Sequence, residues 1–163
     1  MGFLITKSDF VGRYNLAKNL NDNIDAIIEN YEEQYLIDLL GFDLYELFKL
    51  DLVNKVPQTD IYLDTYNKFT VKINNLVFSS KGMKDMLLNL IFFEYSRFIK
   101  IKNTTSGQVV NQVEVSGPAS NVPLFTYYND GVKSYKAIQS FVYNDNVNYP
   151  LFEGINKKYS APF

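Results

Sequence analysis

Apolar residues recur at helical spacing along most of this chain. Ile24, Ile27, Ile28, Tyr31, Tyr35 and Leu39 lie three or four positions apart, the stripe of an amphipathic helix packed on a core. Asp22 or Asn23 suits its N-cap and Gly41 its stop. Asp22, Asp25, Glu29, Glu32 and Glu33 fall mostly on the other side. They predict a solvated acidic face whose first carboxylates complement the macrodipole. Upstream, Ser8 or Asp9 suits the cap of a first helix carrying Phe10, Tyr14 and Ala17, and "NLNDN" at 19–23 is a break. Downstream, Asp43 opens a helix, "DLYELFKLDLV", that ends before Pro57. Thr59 or Asp60 caps a short segment with Ile61, Tyr62 and Tyr66. Over 69–80, Phe69, Val71 and Ile73 alternate like a strand while Asn74-Asn75 suits a turn, so this stretch reads as irregular with room for a short strand.

Lys81 to Ile101 is apolar around most of its circumference. Among its polar residues, Asp85, Asn89, Ser96 and Lys100 keep to one narrow stripe. A helix of that kind is surrounded by others, which places it at the centre of a bundle. A last long helix begins at Thr126 or Asn129. Tyr128, Val132, Tyr135, Ile138 and Val142 make its buried face, and Gly131 weakens its first turn. The tail, 146–163, holds Tyr149, Phe152, Tyr159 and Phe163. It is too apolar to be left in solvent and packs on this domain or on a neighbour.

One stretch breaks the pattern. "NTTSGQVVNQVEVSGPASN", Asn103 to Asn121, has no aromatic residue, no Leu, no Ile and a single charge, Glu114. Val109, Asn111, Val113 and Val115 alternate with Val110, Gln112, Glu114 and Ser116, a period of two with β-branched residues. Two helices need only a few residues to turn back on each other. The insertion therefore reads as an extended arm or β-hairpin, against the alternative of a floppy loop. A lone extended segment leaves backbone N–H and C=O groups unpaired, so the expectation is strand addition to a partner. The fold class is mainly α: a small helical bundle with a central long hydrophobic helix and an extended or β-hairpin arm inserted before the last long helix. The whole, 1–163, reads as one domain, with a helical core at 8–101 and 126–145, the arm at 103–121 and the aromatic tail at 146–163.

Composition narrows the chemistry. The chain has no Cys and no His among its 163 residues. That excludes disulfides, thiolate catalysis and the usual neutral-pH general base, and leaves no case for a metal or cofactor. Net charge is −2, so no basic field recruits nucleic acid. The charges within 83–101 argue against a membrane span, and the apolar run at the start is too short for a signal peptide. Gly2 and Thr6 match the spacing of a myristoylation pattern, which a buried first strand or turn explains as well. Phosphate-binding and nucleophile-elbow motifs are absent. "SSKGMK" at 79–84 contains the residue types of a Ser–Lys pair but reads more simply as a helix cap. Glu29, Glu32 and Glu33 read as a solvated face and not as a metal cluster. Glu94, followed by Arg97, reads as a structural ion pair and not as a catalytic acid. The residues thus point to no enzyme.

Five segments carry a resemblance: "FLITKSDFVGRYNLAKN" at the start, "YEEQYLIDLLGFDLYELF" at 31–48, "SKGMKDMLLNLIFFEYSRF" at 80–98, "GVKSYKAIQSF" at 131–141 and "YPLFEGINKKY" at 149–159. In order and spacing they resemble the small head–tail connector (adaptor, or ring) proteins of tailed bacteriophages and prophages of Bacteroidota, including crAss-like phages. The resemblance implies a non-enzymatic virion structural protein at the head–tail junction, assembled in the bacterial host cytoplasm. It implies a ring, commonly of about twelve copies, below the portal protein. Such a ring prolongs the DNA channel and docks further tail or ring proteins. Viral DNA would pass without sequence-specific binding, and no membrane is involved. The family has no catalytic, metal-binding or cofactor-binding residues to carry over. Subunit or partner contacts are expected from Val109, Val110, Asn111, Gln112, Val113, Glu114 and Val115 in the arm and from Tyr149, Phe152, Tyr159 and Phe163 in the tail. Two other readings stay open: another phage neck or tail-completion protein, and a monomeric helical binding module.

Overall fold

Gly41 divides the first long apolar stretch into two helices, α1 (Ile24–Leu40) and α2 (Phe42–Leu50). Its φ of 86° suits glycine, and a Cβ there would lie 2.8 Å from the Cβ of Glu153. The computed structural model describes residues 4–14, 16, 24–104, 107–110 and 123–155. Its remaining elements are β1 (Leu52–Val53), β2 (Val56–Pro57), α3 (Asp60–Tyr66), β3 (Phe69–Ile73), β4 (Leu76–Ser80), α4 (Met83–Lys100), β5 (Ile101–Thr104), β6 (Gly107–Val110) and α5 (Leu124–Asn144). The protein is mainly helical, with a hairpin inserted before the last long helix, as the pattern predicts. No helix among the described residues is long and apolar enough to cross a membrane.

The core lies between α1, α4 and α5. Ile24, Ile28, Leu36 and Leu39 of α1 meet Met86, Leu87, Leu90 and Ile91 of α4 and Val132, Tyr135 and Ile138 of α5 in one buried cluster. Truncating any one of these to alanine would cost about 2–5 kcal/mol. α4 is enclosed along its first three turns, as expected of a central helix. At its far end Phe98 and Arg97 are exposed, so the helix outruns the bundle. Gly131 marks the closest approach of α4 and α5: a Cβ there would sit 2.7 Å from the Leu90 side chain.

Four expectations are corrected. The first concerns residues 7–14. They form two 3-10 turns, Lys7–Asp9 and Gly12–Tyr14, and not a helix opened by Ser8 or Asp9. Asp9 instead closes a capping box on Thr6 and pairs with Lys84 at 2.7 Å. Partial burial opposes ionisation of Asp9, but the Lys84 ammonium and the Thr6 amide and hydroxyl outweigh it and hold its carboxyl below the usual range. Second, 69–80 is not irregular. β3 and β4 pair antiparallel from Phe69↔Ser80 to Ile73↔Leu76, around Asn74 and Asn75 with φ of 48° and 67°. Positive φ at both central residues is the two-residue hairpin geometry that asparagine tolerates. Third, the long central helix ends at Lys100, and Ile101 already belongs to a strand. Fourth, the last helix starts at Leu124 behind Pro123, ahead of Thr126 and Asn129, because proline's fixed φ suits a helix entry.

The tail packs on its own chain as far as it is described. Tyr149 is buried, edge-on to Phe141 at 6.3 Å, and its hydroxyl donates to the Ile61 carbonyl. Beyond it the backbone crosses the end of α1. The Glu153 amide donates to the Leu40 carbonyl and the Ile155 amide to the Asp38 carbonyl at 2.6 Å. The Gln139 amide donates to Leu39 and Ile155 carbonyls. The last carbonyls of α1 thus find donors in the tail and in α5, where a helix end otherwise leaves them orphaned. Gly154 sits so close that a Cβ would lie 2.2 Å from the Leu39 carbonyl oxygen. Gly154→Ala is therefore expected to lose about 2–3 kcal/mol, read as a lower urea midpoint, while a substitution at exposed Val147 leaves the midpoint unchanged.

Candidate functional site

The predicted arm begins where α4 ends. With no residue between helix and strand, β5 leaves Lys100 and pairs antiparallel with β6 in the register Ile101↔Val110, Lys102↔Val109, Asn103↔Gln108 and Thr104↔Gly107. The first half of the insertion is consequently not a lone ribbon. Its own first residues, Asn103 and Thr104, together with Lys102 and with Ile101, read from sequence as the last residue of the helix, supply the partner strand. The β-branched Ile101 and Thr104 favour that exchange. β5 and β6 form a sheet of two strands, so among the described residues each keeps one edge without a strand partner. Such an edge is what strand addition requires. Of the expected contact residues, Val109 and Val110 lie in β6. Asn111, Gln112, Val113, Glu114 and Val115 lie outside the described residues, as do Tyr159 and Phe163. Tyr149 is packed in the core of its own chain, and Phe152 is half-buried against that core. Of the two packings expected for the tail, on this domain or on a neighbour, Tyr149 takes the first.

None of the candidate chemistry assembles. Glu94 accepts from Tyr35 Oη at 3.1 Å and from Arg97 at 3.2 Å, the ion pair read from the sequence. Burial first, and the Glu94 carboxylate second, push the Tyr35 phenol far above its usual range. Ser80 is buried, and its hydroxyl accepts the Gly82 amide at 3.0 Å. Ser79 meets Thr70 across the hairpin at 3.1 Å. The two serines serve turn and sheet, and no Ser–Lys pair forms. Among the described residues no three acidic side chains gather into a metal-binding group. Asn30, Glu33, Gln34, Ile37 and Asp38 line a shallow open depression along α1, with no reactive pair inside it.

The acidic face is corrected in one important place. Glu29 and Glu33 are exposed, and Glu33 accepts from the Tyr45 hydroxyl at 2.9 Å. Glu32 is 1% exposed. Its Oε1 accepts the amides of Leu4 and Ile5 at 2.9 and 2.8 Å, and both of those residues are fully buried. One carboxylate thereby ties the N-terminal segment to α1. A second tie lies farther along that segment. The Arg13 guanidinium stacks over the Tyr127 ring at 4.7 Å and donates to Asp130 at 2.9 Å and to Asn89 at 3.2 Å. Burial lowers the Arg13 pKa, and Asp130 more than reverses this. The polar stripe of α4 is thus where the N-terminal segment docks. Sequence spacing exposed that stripe but had no means of naming Arg13 as its partner.

Large apolar residues are exposed among the surface charges. Phe42, Leu47 and Leu50 on α2, Val53 and Val56 on β1–β2, Leu76 and Val77 on β3–β4, and Phe98 beside the arm all face solvent. Surfaces of this kind contact other proteins more often than they perform chemistry. No family model, no curated protein and no solved structure matches the chain.

Proposed function

We propose that this chain is a non-enzymatic structural subunit of a phage virion. In this reading it is a head-to-tail connector that forms a ring of about twelve copies beneath the portal protein and carries the DNA channel toward the tail. The observation that carries the reading is the β5–β6 hairpin on the end of α4, a two-stranded sheet with an unpartnered edge on each strand among the described residues. Such an element is positioned to extend a sheet supplied by a neighbour, the portal or a further tail protein. The ordered sequence resemblance supports the same role. So does the net charge of −2, which lets DNA slide past a channel wall without sticking.

Deleting 105–119 tests this directly. The expected product keeps the circular dichroism of a helical domain and no longer joins the portal of the phage or prophage that encodes it. Assembly of the deletion variant with the portal at wild-type efficiency would sink the docking role of the arm. A monomeric helical binding module, the competing reading, would keep its partner after the deletion.

A further inference from the structure

Charge is distributed very unevenly along this chain. From Ile24 to Asp64 there are ten acidic residues and two basic ones; from Thr65 to Lys102 there are seven basic and two acidic. Each block carries exposed large apolar residues, on α2 and β1–β2 in the first and on the tip of β3–β4 in the second. On α2 the exposed positions are Phe42, Asp43, Leu47, Lys49 and Leu50, with Glu46 half-buried. Lys49 lies 3.7 Å from both Glu46 and Glu33, so the acids Asp43, Glu46 and Glu33 outnumber the one cation of this face. Phe42, Glu46 and Leu50 stand four apart and form one row along the helix. Leu50 is 81% and Phe42 60% exposed. Val53 and Val56 continue the apolar surface onto the next hairpin. On β3–β4, Leu76 and Val77 at the tip are 64% and 68% exposed. Lys72 on that hairpin and Lys68 just before it are exposed, and no acidic residue occurs between Asp64 and Asp85. The base of the hairpin is anchored on α5 through Phe69 and Phe141, ring centres 5.1 Å apart. Its apolar tip is left uncovered.

We infer that the β3–β4 hairpin of one copy docks on the α2 face of the next. The Leu76–Val77 tip would lie against Phe42 and Leu50, and Lys72 would stand opposite Asp43 and Glu46, with Lys68 adding positive charge at the base of the hairpin. The two surfaces are different, so the contact is heterologous and repeats head to tail. Their opposite charge favours this pairing over hairpin on hairpin or α2 on α2, where like charges would face each other. The contact is small: α2 is about 13 Å long and the hairpin strands about 17 Å. A single contact is accordingly weak, and closure of a ring, in which every subunit is held twice, multiplies it. This inference rests on the ring reading and names the surface between its copies.

The full chain alone is the probe, with no portal present. Sedimentation equilibrium is expected to show self-association that strengthens as salt is lowered. The hairpin reversal K68E/K72E and the α2 reversal D43K/E46K are each expected to weaken it about ten- to hundredfold. An equimolar mixture of the two variants restores it, because each reversed surface then meets its complement in alternating copies. Restoration also shows that both variants are folded. A wild-type chain that stays monomeric at concentrations of about 1 mM overturns the inference, as do reversals that leave association unchanged or a mixture that fails to restore it. Loss of binding to a short DNA duplex in K68E/K72E, with self-association intact, would make the hairpin a nucleic-acid surface and overturn it too. Any of these failures leaves the arm–portal docking untouched, since that is read by the deletion of 105–119.

Discussion

Glu32→Ala is expected to lower the unfolding free energy by about 3–5 kcal/mol, a large share of what a domain of this size has. Glu32 is almost fully buried, and one of its oxygens accepts the Leu4 and Ile5 amides. Alanine leaves both amides without that acceptor in a site water does not reach, each at a cost of about 1–3 kcal/mol, and opens a void beside two fully buried residues. Glu32→Gln keeps an oxygen in place and gives up only the charge, so its loss is expected at about 1–2 kcal/mol. Urea titration separates the two variants. Hydrogen exchange locates the effect, because the Leu4 and Ile5 amides lose protection first and α4 and α5 keep theirs. A Glu32→Ala protein within 1 kcal/mol of wild type, with those amides still protected, would show that the carboxylate is not what holds the N-terminal segment.

The second large effect is alkaline. The side chains of Tyr14, Tyr35, Tyr45, Tyr135 and Tyr149 are buried, and each phenol donates a hydrogen bond. Tyr14 donates to Asp85 at 3.2 Å, Tyr35 to Glu94 and Tyr45 to Glu33. Tyr135 donates to the Ile155 carbonyl at 2.6 Å and Tyr149 to the Ile61 carbonyl. Burial is the first cause that raises all five phenols well above their ordinary value of 10.0, and nearby carboxylates are the next. The sign follows from linkage. A group whose pKa is raised on folding contributes stability that is fully present below the unfolded value and is lost as pH rises toward the folded one. Each phenol then removes about 1.4 kcal/mol per pH unit above about pH 10. Five together remove about 7 kcal/mol per unit, comparable to the whole stability of a small domain. The protein is therefore expected to unfold cooperatively within about one to two units above pH 10. Tyrosinate absorbance of the buried set and loss of helical circular dichroism should rise together. Smooth phenol ionisation with the helices intact would contradict the burial account.

Three of those tyrosines, Tyr14, Tyr35 and Tyr135, stand at positions the apolar spacing assigned to the core. Their acceptors were not legible, because Asp85, Glu94 and Ile155 lie 71, 59 and 20 residues away in sequence. The same limit explains Glu32. Its neighbours Glu29 and Glu33 are exposed as predicted, and helical spacing places Glu32 near the boundary of the acidic face. Only the arrival of Leu4 and Ile5 converts it from a surface acid into a buried acceptor. The arm shows a different limit. Its alternation was visible from Val109 to Val115, but the partner strand came from 101–104, which show no alternation of their own and include Ile101, the last residue of the helical pattern. A helix end and a strand compete there on nearly equal local terms, and pairing across the turn decides the matter.

The amino-acid sequence by itself determined the helical class, the central position of α4, the Gly41 break and the insertion before the last helix. Each of these follows from the order of apolar residues and from backbone preferences that act within a few positions. Tertiary structure alone decided that Glu32 is buried, that Arg13 closes on Asn89 and Asp130, that residues 152–155 bind the end of α1, and that the strand paired with β6 begins at Ile101. Those outcomes depend on which distant groups come within hydrogen-bonding reach once the core has packed, and a linear pattern carries no distance between its far parts.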